Sequence, residues 1–400
     1  MELKEKLHKQ VWERFVRMPY GHVLDYSDMN GKTILPDAND CKECMPNALG
    51  WGTSIENGAF FTGLYATALL KEYEIHKNNR LKKEIKTLIN GLRVLQDVGE
   101  VEGFIARGVA EDGVSHYPLS SEDQVVPWIM GMYSYFKSDI CMEKDEIRKR
   151  LLRVLISVKN SNWRILSDIK GVYQYDWSNA DDWRGVCKML YCSRLIYELT
   201  GDIADFDDYR RICRERPNNG IFTRLEILSN GFSHDMVYTT QLIQFWINVC
   251  SHLALIELEK IDSENVHYYN RARYMNGVTT LKFIADIFKY DNNSEGFDIN
   301  WKKLKLQHKP FCHDSSEAVK DATEILIYWK ENFVPHRYYE HEILGNALFG
   351  AWIAVTCGNE MIRDKTISLI KKGCNVIDWD TVHLSYAFVA ESVLIYGKKE

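Results

Sequence analysis

Side chains able to hold or move protons recur in short clusters, and each cluster opens a long apolar run. The clusters are Trp51-Gly52-Thr53-Ser54-Ile55-Glu56-Asn57, Ser121-Glu122-Asp123-Gln124, Asn179-Ala180-Asp181-Asp182-Trp183-Arg184, Ser233-His234-Asp235, Tyr339-Glu340-His341-Glu342 and Asp378-Trp379-Asp380-Thr381-Val382-His383. A lone Asp at a helix opening serves as a cap, because its carboxylate satisfies unpaired N–H groups and the helix dipole. Here the pattern repeats, with Asp123 opening one apolar helix and Asp181-Asp182 the next. Two carboxyl groups facing across one pocket are what acid and base chemistry at a glycosidic bond requires. A carboxyl walled by Trp128, Trp177 or Trp183 would be driven toward its neutral form by desolvation, and so could act as an acid near neutrality.

Other residues fit supporting parts. His234 and Asp235 read as helpers in proton transfer, or as a plain cap pair. Arg107 and Arg184 can clamp a substrate carboxylate through bidentate, charge-assisted bonds, with a structural salt bridge as the plain alternative. His336 and Arg337 carry the same two readings. Trp51, Trp128, Trp177 and Trp183 are candidate sugar platforms, and Glu56, Asn57, His116 and Gln124 candidate polar contacts. Cys41-Lys42-Glu43-Cys44 has the spacing of half a zinc site without a second half, and Asp28, Asn30, Gly31 and Asp37 mimic a calcium loop whose first position is Tyr26. Phosphate-loop, dinucleotide, zinc-protease and serine-hydrolase motifs are missing from the sequence. No metal or organic cofactor is expected.

To gather such distant clusters, the elements between them must bring their openings to one end. The periodicity predicts inner helices near 56–74, 122–137, 181–200, 236–258, 342–357 and 381–396, apolar nearly all round. Outer partners with one wet face are expected near 2–18, 80–98, 144–160, 204–214, 264–290 and 359–372. A further helix near 317–331 is opened by Asp314, with strand pieces at 103–109 and 171–175. Repeated helical pairs of this kind can close into a ring. The expected fold is therefore all-α, an (α/α)6 toroid with small β pieces at its rim, in one domain spanning residues 1–400.

Composition leaves room for a sugar-binding cleft, with most of the aromatic side chains expected simply to pack. The 400 residues include 46% hydrophobic side chains, 11 Trp and 22 Tyr, whose apolar bodies and polar tips suit sugar clefts. A formal charge of −6 argues against a nucleic-acid surface. The charged start and the lack of any apolar stretch near 18 residues point away from the membrane, and ten Cys fit reduced thiols of a cytoplasmic protein. Self-assembly into a homo-oligomer stays open.

With these clusters in hand, the chain resembles the six-hairpin glycosidases, toroidal enzymes that include unsaturated glucuronyl and rhamnogalacturonyl hydrolases. The resemblance lies in the architecture and in two motifs, Ser121-Glu122-Asp123-Gln124 and Asp181-Asp182-Trp183. It implies that these carboxylates act on a terminal uronate of an oligosaccharide, either at the glycosidic bond or by hydrating a 4,5 double bond. Alternatives are an epimerase of the N-acylglucosamine 2-epimerase type using His234 and His383, a lyase using His116 or His234 with Tyr117 or Tyr238, and a binding protein without turnover.

Overall fold

Apolar runs flanked by capping residues fold as the periodicity requires. The computed structural model describes residues 2–177, 180–232, 234, 245–292, 296–311 and 313–398, and within them the chain is mostly helical with two small sheets. Apart from a single helical turn at Ala38–Lys42, the first helices in chain order are α1 (Leu3–Gln10), α2 (Gly58–His76), α3 (Asn79–Asp97), α4 (Glu122–Lys137) and α5 (Lys144–Asn160). Then come α6 (Trp183–Thr200), α7 (Ile203–Arg214), α8 (Arg224–Ser229), α9 (Phe245–Ile261) and α10 (Val266–Leu281). The last are α11 (Ser315–Asn332), α12 (Pro335–Glu340), α13 (Asn346–Val355), α14 (Glu360–Val376) and α15 (Ala387–Tyr396).

Burial divides them into two kinds. Helices α2, α4, α6, α9, α13 and α15 are covered on nearly every side, whereas α3, α5, α7 and α14 bury one stripe and wet the other. Side-chain caps set several starts: Asn78 on Arg80 N, Asp182 on Gly185 N, Asp202 on Ala204 N and Asp314 on Ser316 N and Glu317 N. Neighbouring buried helices touch in a path that returns to its origin. Helix α2 packs on α4, α4 on α9, α9 on α13, α13 on α15 and α15 on α2, while α6 packs on α9 and α5 lies against both α4 and α6. The α2–α4 crossing is unusually close because it is built on Gly63, where an added Cβ would meet Pro127 O at 2.1 Å.

The structure differs from the sequence expectations in four places. The expected first helix stops at Gln10, passes through one wide turn at Val11–Phe15, and gives way to β1 (Val16–Arg17), paired antiparallel with β2 (His22–Val23). Gly21, at φ +78°, permits the reversal between them. The expected strand at 103–109 is irregular, whereas the one near 171–175 is real: β3 (Arg164–Leu166) pairs with β4 (Tyr173–Asp176). Helix α10 ends at Leu281, before a separate short turn at Ile284–Lys289. Finally, α15 begins at Ala387 rather than near 381, because the preceding backbone is held by other partners. The Glu340 carboxylate accepts His383 N and Leu384 N, and Asp25 O accepts Ser385 N. Among the described residues no helix is long and apolar enough to cross a membrane.

Candidate functional site

The openings of α2 and α4 lie side by side, since these helices pack on each other, and their polar clusters interlock. At the start of α4, Asp123 accepts from Ser121 Oγ and, at 3.3 Å, from Gln124 Nε2. Gln124 also donates to Asn57 Oδ1 at 3.3 Å, while its own carbonyl oxygen accepts Phe60 N at 3.0 Å. Asn57 Nδ2 in turn donates to Asp25 Oδ1 at 2.6 Å. Arg337 of α12 closes the deep end, its Nη2 lying 2.6 Å from both Asp25 Oδ2 and Glu56 Oε1. Arg107 closes the other side, donating to Glu56 O at 2.8 Å and to Ser121 Oγ at 2.6 Å. The result is a continuous polar circuit from Arg337 to Asp123 with Asp123 only 6% exposed.

Within the circuit two carboxylates share one guanidinium. Burial pushes the Asp25 carboxyl up, outweighing the Arg337 cation, and the negative charge of Glu56 pushes the same way. The guanidinium is flanked by Tyr26 and Trp329, at 5.0 and 4.8 Å from the ring centres, and Tyr26 is fixed by donating to Gly52 O. Burial alone would lower the Arg337 pKa, but Glu56 and Asp25 more than reverse that and raise it.

A second cluster joins α4 to α6. Glu122 accepts from Trp177 Nε1 at 2.8 Å and lies 2.9 Å from Lys188 Nζ and 3.2 Å from Arg184 Nε. Burial disfavours its charge, yet Lys188 and Arg184 prevail and hold the carboxyl down at about 2. Arg184 is also 3.9 Å from Asp182, whose side chain caps α6 by accepting Gly185 N. Tyr175 of β4, partly exposed, lies in the electrostatic field of Asp123, Glu122, Arg107 and Arg184. Asp123 and Asp182 therefore open neighbouring parts of one acidic, aromatic region, linked through Glu122 and Arg184.

The remaining sequence candidates are distributed differently. Asp181 is exposed, accepts from Asn218 Nδ2 at 3.1 Å, and offers its main-chain carbonyl to His234 Nε2 at 2.7 Å. Asp235, Ser233, Tyr238 and Asn179 lie outside the described residues. Trp51 is half-buried under the Arg107 guanidinium, 5.8 Å from its ring centre. Three of the indoles are packing groups rather than open platforms. Trp128 is fully buried and donates to Leu92 O on α3, Trp183 is fully buried, donates to Leu228 O and meets Phe232 edge-on, and Trp177 is buried on Glu122. Arg107 and Arg337 are buried in the circuit, so neither guanidinium is an open clamp. His336, likewise buried, lies 3.1 Å from Glu340 Oε1. His116 belongs to a separate rim cavity of about 700 Å³, where it donates to Asp168 Oδ2 and to Val114 O. His383 packs flat on Phe297 at 4.2 Å and donates from Nδ1 to Ser27 O, while Tyr117 is buried and donates to Met45 O.

Several participants escape a reading of the sequence. Asp25 sits in an irregular loop and Lys188 inside an apolar helix, so neither has a local signal. Lys330, Tyr386, His341 and the half-buried Trp246 border the circuit's deep end: Lys330, Tyr386 and His341 feel Arg337 electrostatically, and Trp246 meets His341 edge-on. Among the described residues no group of three His, Cys, Asp or Glu side chains is placed to hold a metal ion. No family model, curated protein or solved structure matches this chain.

Proposed function

We propose that six helical hairpins close into a toroid of the six-hairpin glycosidase type, and that the chain is a glycoside hydrolase removing a terminal uronate, saturated or 4,5-unsaturated, from an oligosaccharide. The observation that supports this reading is the placement of Asp123. It is a nearly buried carboxyl at a helix opening, oriented by Ser121 and Gln124, with a second carboxyl, Asp182, at the opening reached through Glu122 and Arg184. A positioned acid and base of this kind accelerate bond cleavage on the order of 10²- to 10⁴-fold each.

On a saturated uronide, Asp123 serves as the acid, passing a proton to the glycosidic oxygen as the C1–O bond breaks and its electrons pass to the leaving alcohol. Asp182 takes a proton from the water that attacks C1. On an unsaturated uronide, Asp123 protonates C4, water adds at C5 and returns a proton to the Asp123 carboxylate, and the hemiketal collapses to release the neighbouring sugar. Half-buried Trp51, bordering Arg107, and exposed Tyr175, bordering Asp123 and Arg107, are the platforms this reading uses. The nine described cysteines are all buried and none is joined in a disulfide to another of them, which accords with a reducing cytoplasmic setting. The test is a panel of uronide oligosaccharides scored for released uronate. Absorbance of the conjugated 4,5 bond is followed in parallel, since a hydrolase removes that absorbance or leaves it unchanged and a lyase creates it.

A further inference from the structure

The cations that the sequence offers for a substrate carboxylate are occupied. Arg107 holds Glu56 O and Ser121, Arg184 holds Glu122, and Arg337 spends Nη2 on Asp25 and Glu56. Three donors bordering the same region have no partner for the hydrogens in question among the described residues. Lys330, half-buried near the end of α11, makes no ion pair with any described residue, and its ammonium stands 5.6 Å from the Tyr338 ring centre. Arg337, Glu56 and Asp25 act on it electrostatically, which sets it beside the deep end of the circuit. Arg337 Nη1 lacks a hydrogen-bond partner among the described residues although the residue is only 5% exposed. An unsatisfied buried donor of this kind favours any acceptor that can reach it.

His341 supplies the third. Its Nδ1 lies 2.5 Å from the Tyr386 hydroxyl, and its ring meets the half-buried Trp246 edge-on at 5.5 Å. Burial, with the positive charges of Lys330 and Arg337, holds the imidazole neutral, down at about 3. Burial and the nearby Asp25 raise the Tyr386 pKa, so the phenol keeps its proton and donates it to Nδ1. That leaves Nε2 as an N–H donor.

We propose that Lys330, the Nη1 edge of Arg337 and Nε2 of His341 form the subsite that receives the carboxylate of the terminal uronate. This assignment rests on the uronide reading and fixes where the acidic sugar sits. A lysine and two N–H donors around one anion is a recurring recognition pattern.

The experiment is calorimetric titration with free glucuronate and, separately, glucose. The wild-type protein is expected to bind glucuronate more tightly than glucose. Lys330→Met is expected to weaken glucuronate on the order of 10- to 100-fold, leaving glucose binding and the melting temperature unchanged, and Lys330→Arg to retain most of the affinity. Unchanged glucuronate affinity in Lys330→Met, or no preference in the wild type, overturns the subsite. The two proposals fail separately. Lys330-dependent glucuronate binding without cleavage of any uronide upholds the subsite and removes the hydrolase, while cleavage with an unaltered KM in Lys330→Met does the reverse.

Discussion

Replacing Glu122 with Gln isolates a buried charge whose cost can be worked out. Lys188 is completely buried, and its only ion-pair partner among the described residues is the Glu122 carboxylate, 2.9 Å away. Glu122→Gln keeps the shape and an acceptor for Trp177 but leaves the ammonium uncompensated. Breaking a buried pair from one side costs about 3–5 kcal/mol. The lysine has an escape, which is to lose its proton, and this sets a ceiling. With an ordinary lysine pKa of about 10.4 and 1.36 kcal/mol per unit, deprotonation costs about 4.6 kcal/mol at pH 7 and about 1.9 kcal/mol at pH 9. Urea unfolding of the variant should therefore show a loss of about 3–5 kcal/mol at pH 7 that shrinks to about 2 kcal/mol or less at pH 9. The pair variant Glu122→Gln with Lys188→Met should recover most of the loss, because nothing charged is left buried alone. A loss below about 1 kcal/mol at pH 7, or one that does not depend on pH, would refute this view of the cluster.

Further outcomes follow from other parts of the molecule. Gly63→Ala places a Cβ against Pro127 O at the α2–α4 crossing, and should destabilise the fold by about 1–3 kcal/mol in thermal or urea melts; a neutral effect would mean the helices separate freely there. His8 bridges Glu84 and Glu391; burial opposes its charge, but the two carboxylates raise it to about 9. Because the folded value lies above the unfolded one, the stabilisation is whole below about pH 6.5 and is lost as pH rises through 9, by on the order of 3 kcal/mol. Melts from pH 6 to 10 should show that decline, and His8→Gln should flatten it. Asp25→Asn leaves Arg337 with Glu56 alone and removes one of two crowded carboxylates, so the variant should fold and bind, with its effect read as a changed pH profile of uronide turnover rather than loss of structure.

Helices were readable from the sequence wherever burial alone dictated pattern. The stretch 144–160 is helix α5 to the residue, and 122–137 is α4, because apolar spacing and flanking polar groups agree there. Segments fixed by distant partners were not readable. The late start of α15 depends on Glu340, and the role of Asp25 depends on Arg337, 312 positions away. The indole of Trp128 shows why spacing misleads at a site. Five residues beyond Asp123 on a helix of 3.6 residues per turn, it lies roughly 140° round the axis and so points to α3 rather than to the carboxyl. The acidic openings were legible as Asp123 and Asp182, but the cations they meet came partly from apolar stretches, where a buried lysine such as Lys188 has no sequence signature.

The most direct test of the central claim compares wild type and Asp123→Asn on uronide oligosaccharides, with folding of both checked by melting. The account predicts released uronate from the wild type and a turnover lower on the order of 10²- to 10⁴-fold in the variant, with KM little changed. Full activity in a folded Asp123→Asn protein would contradict it.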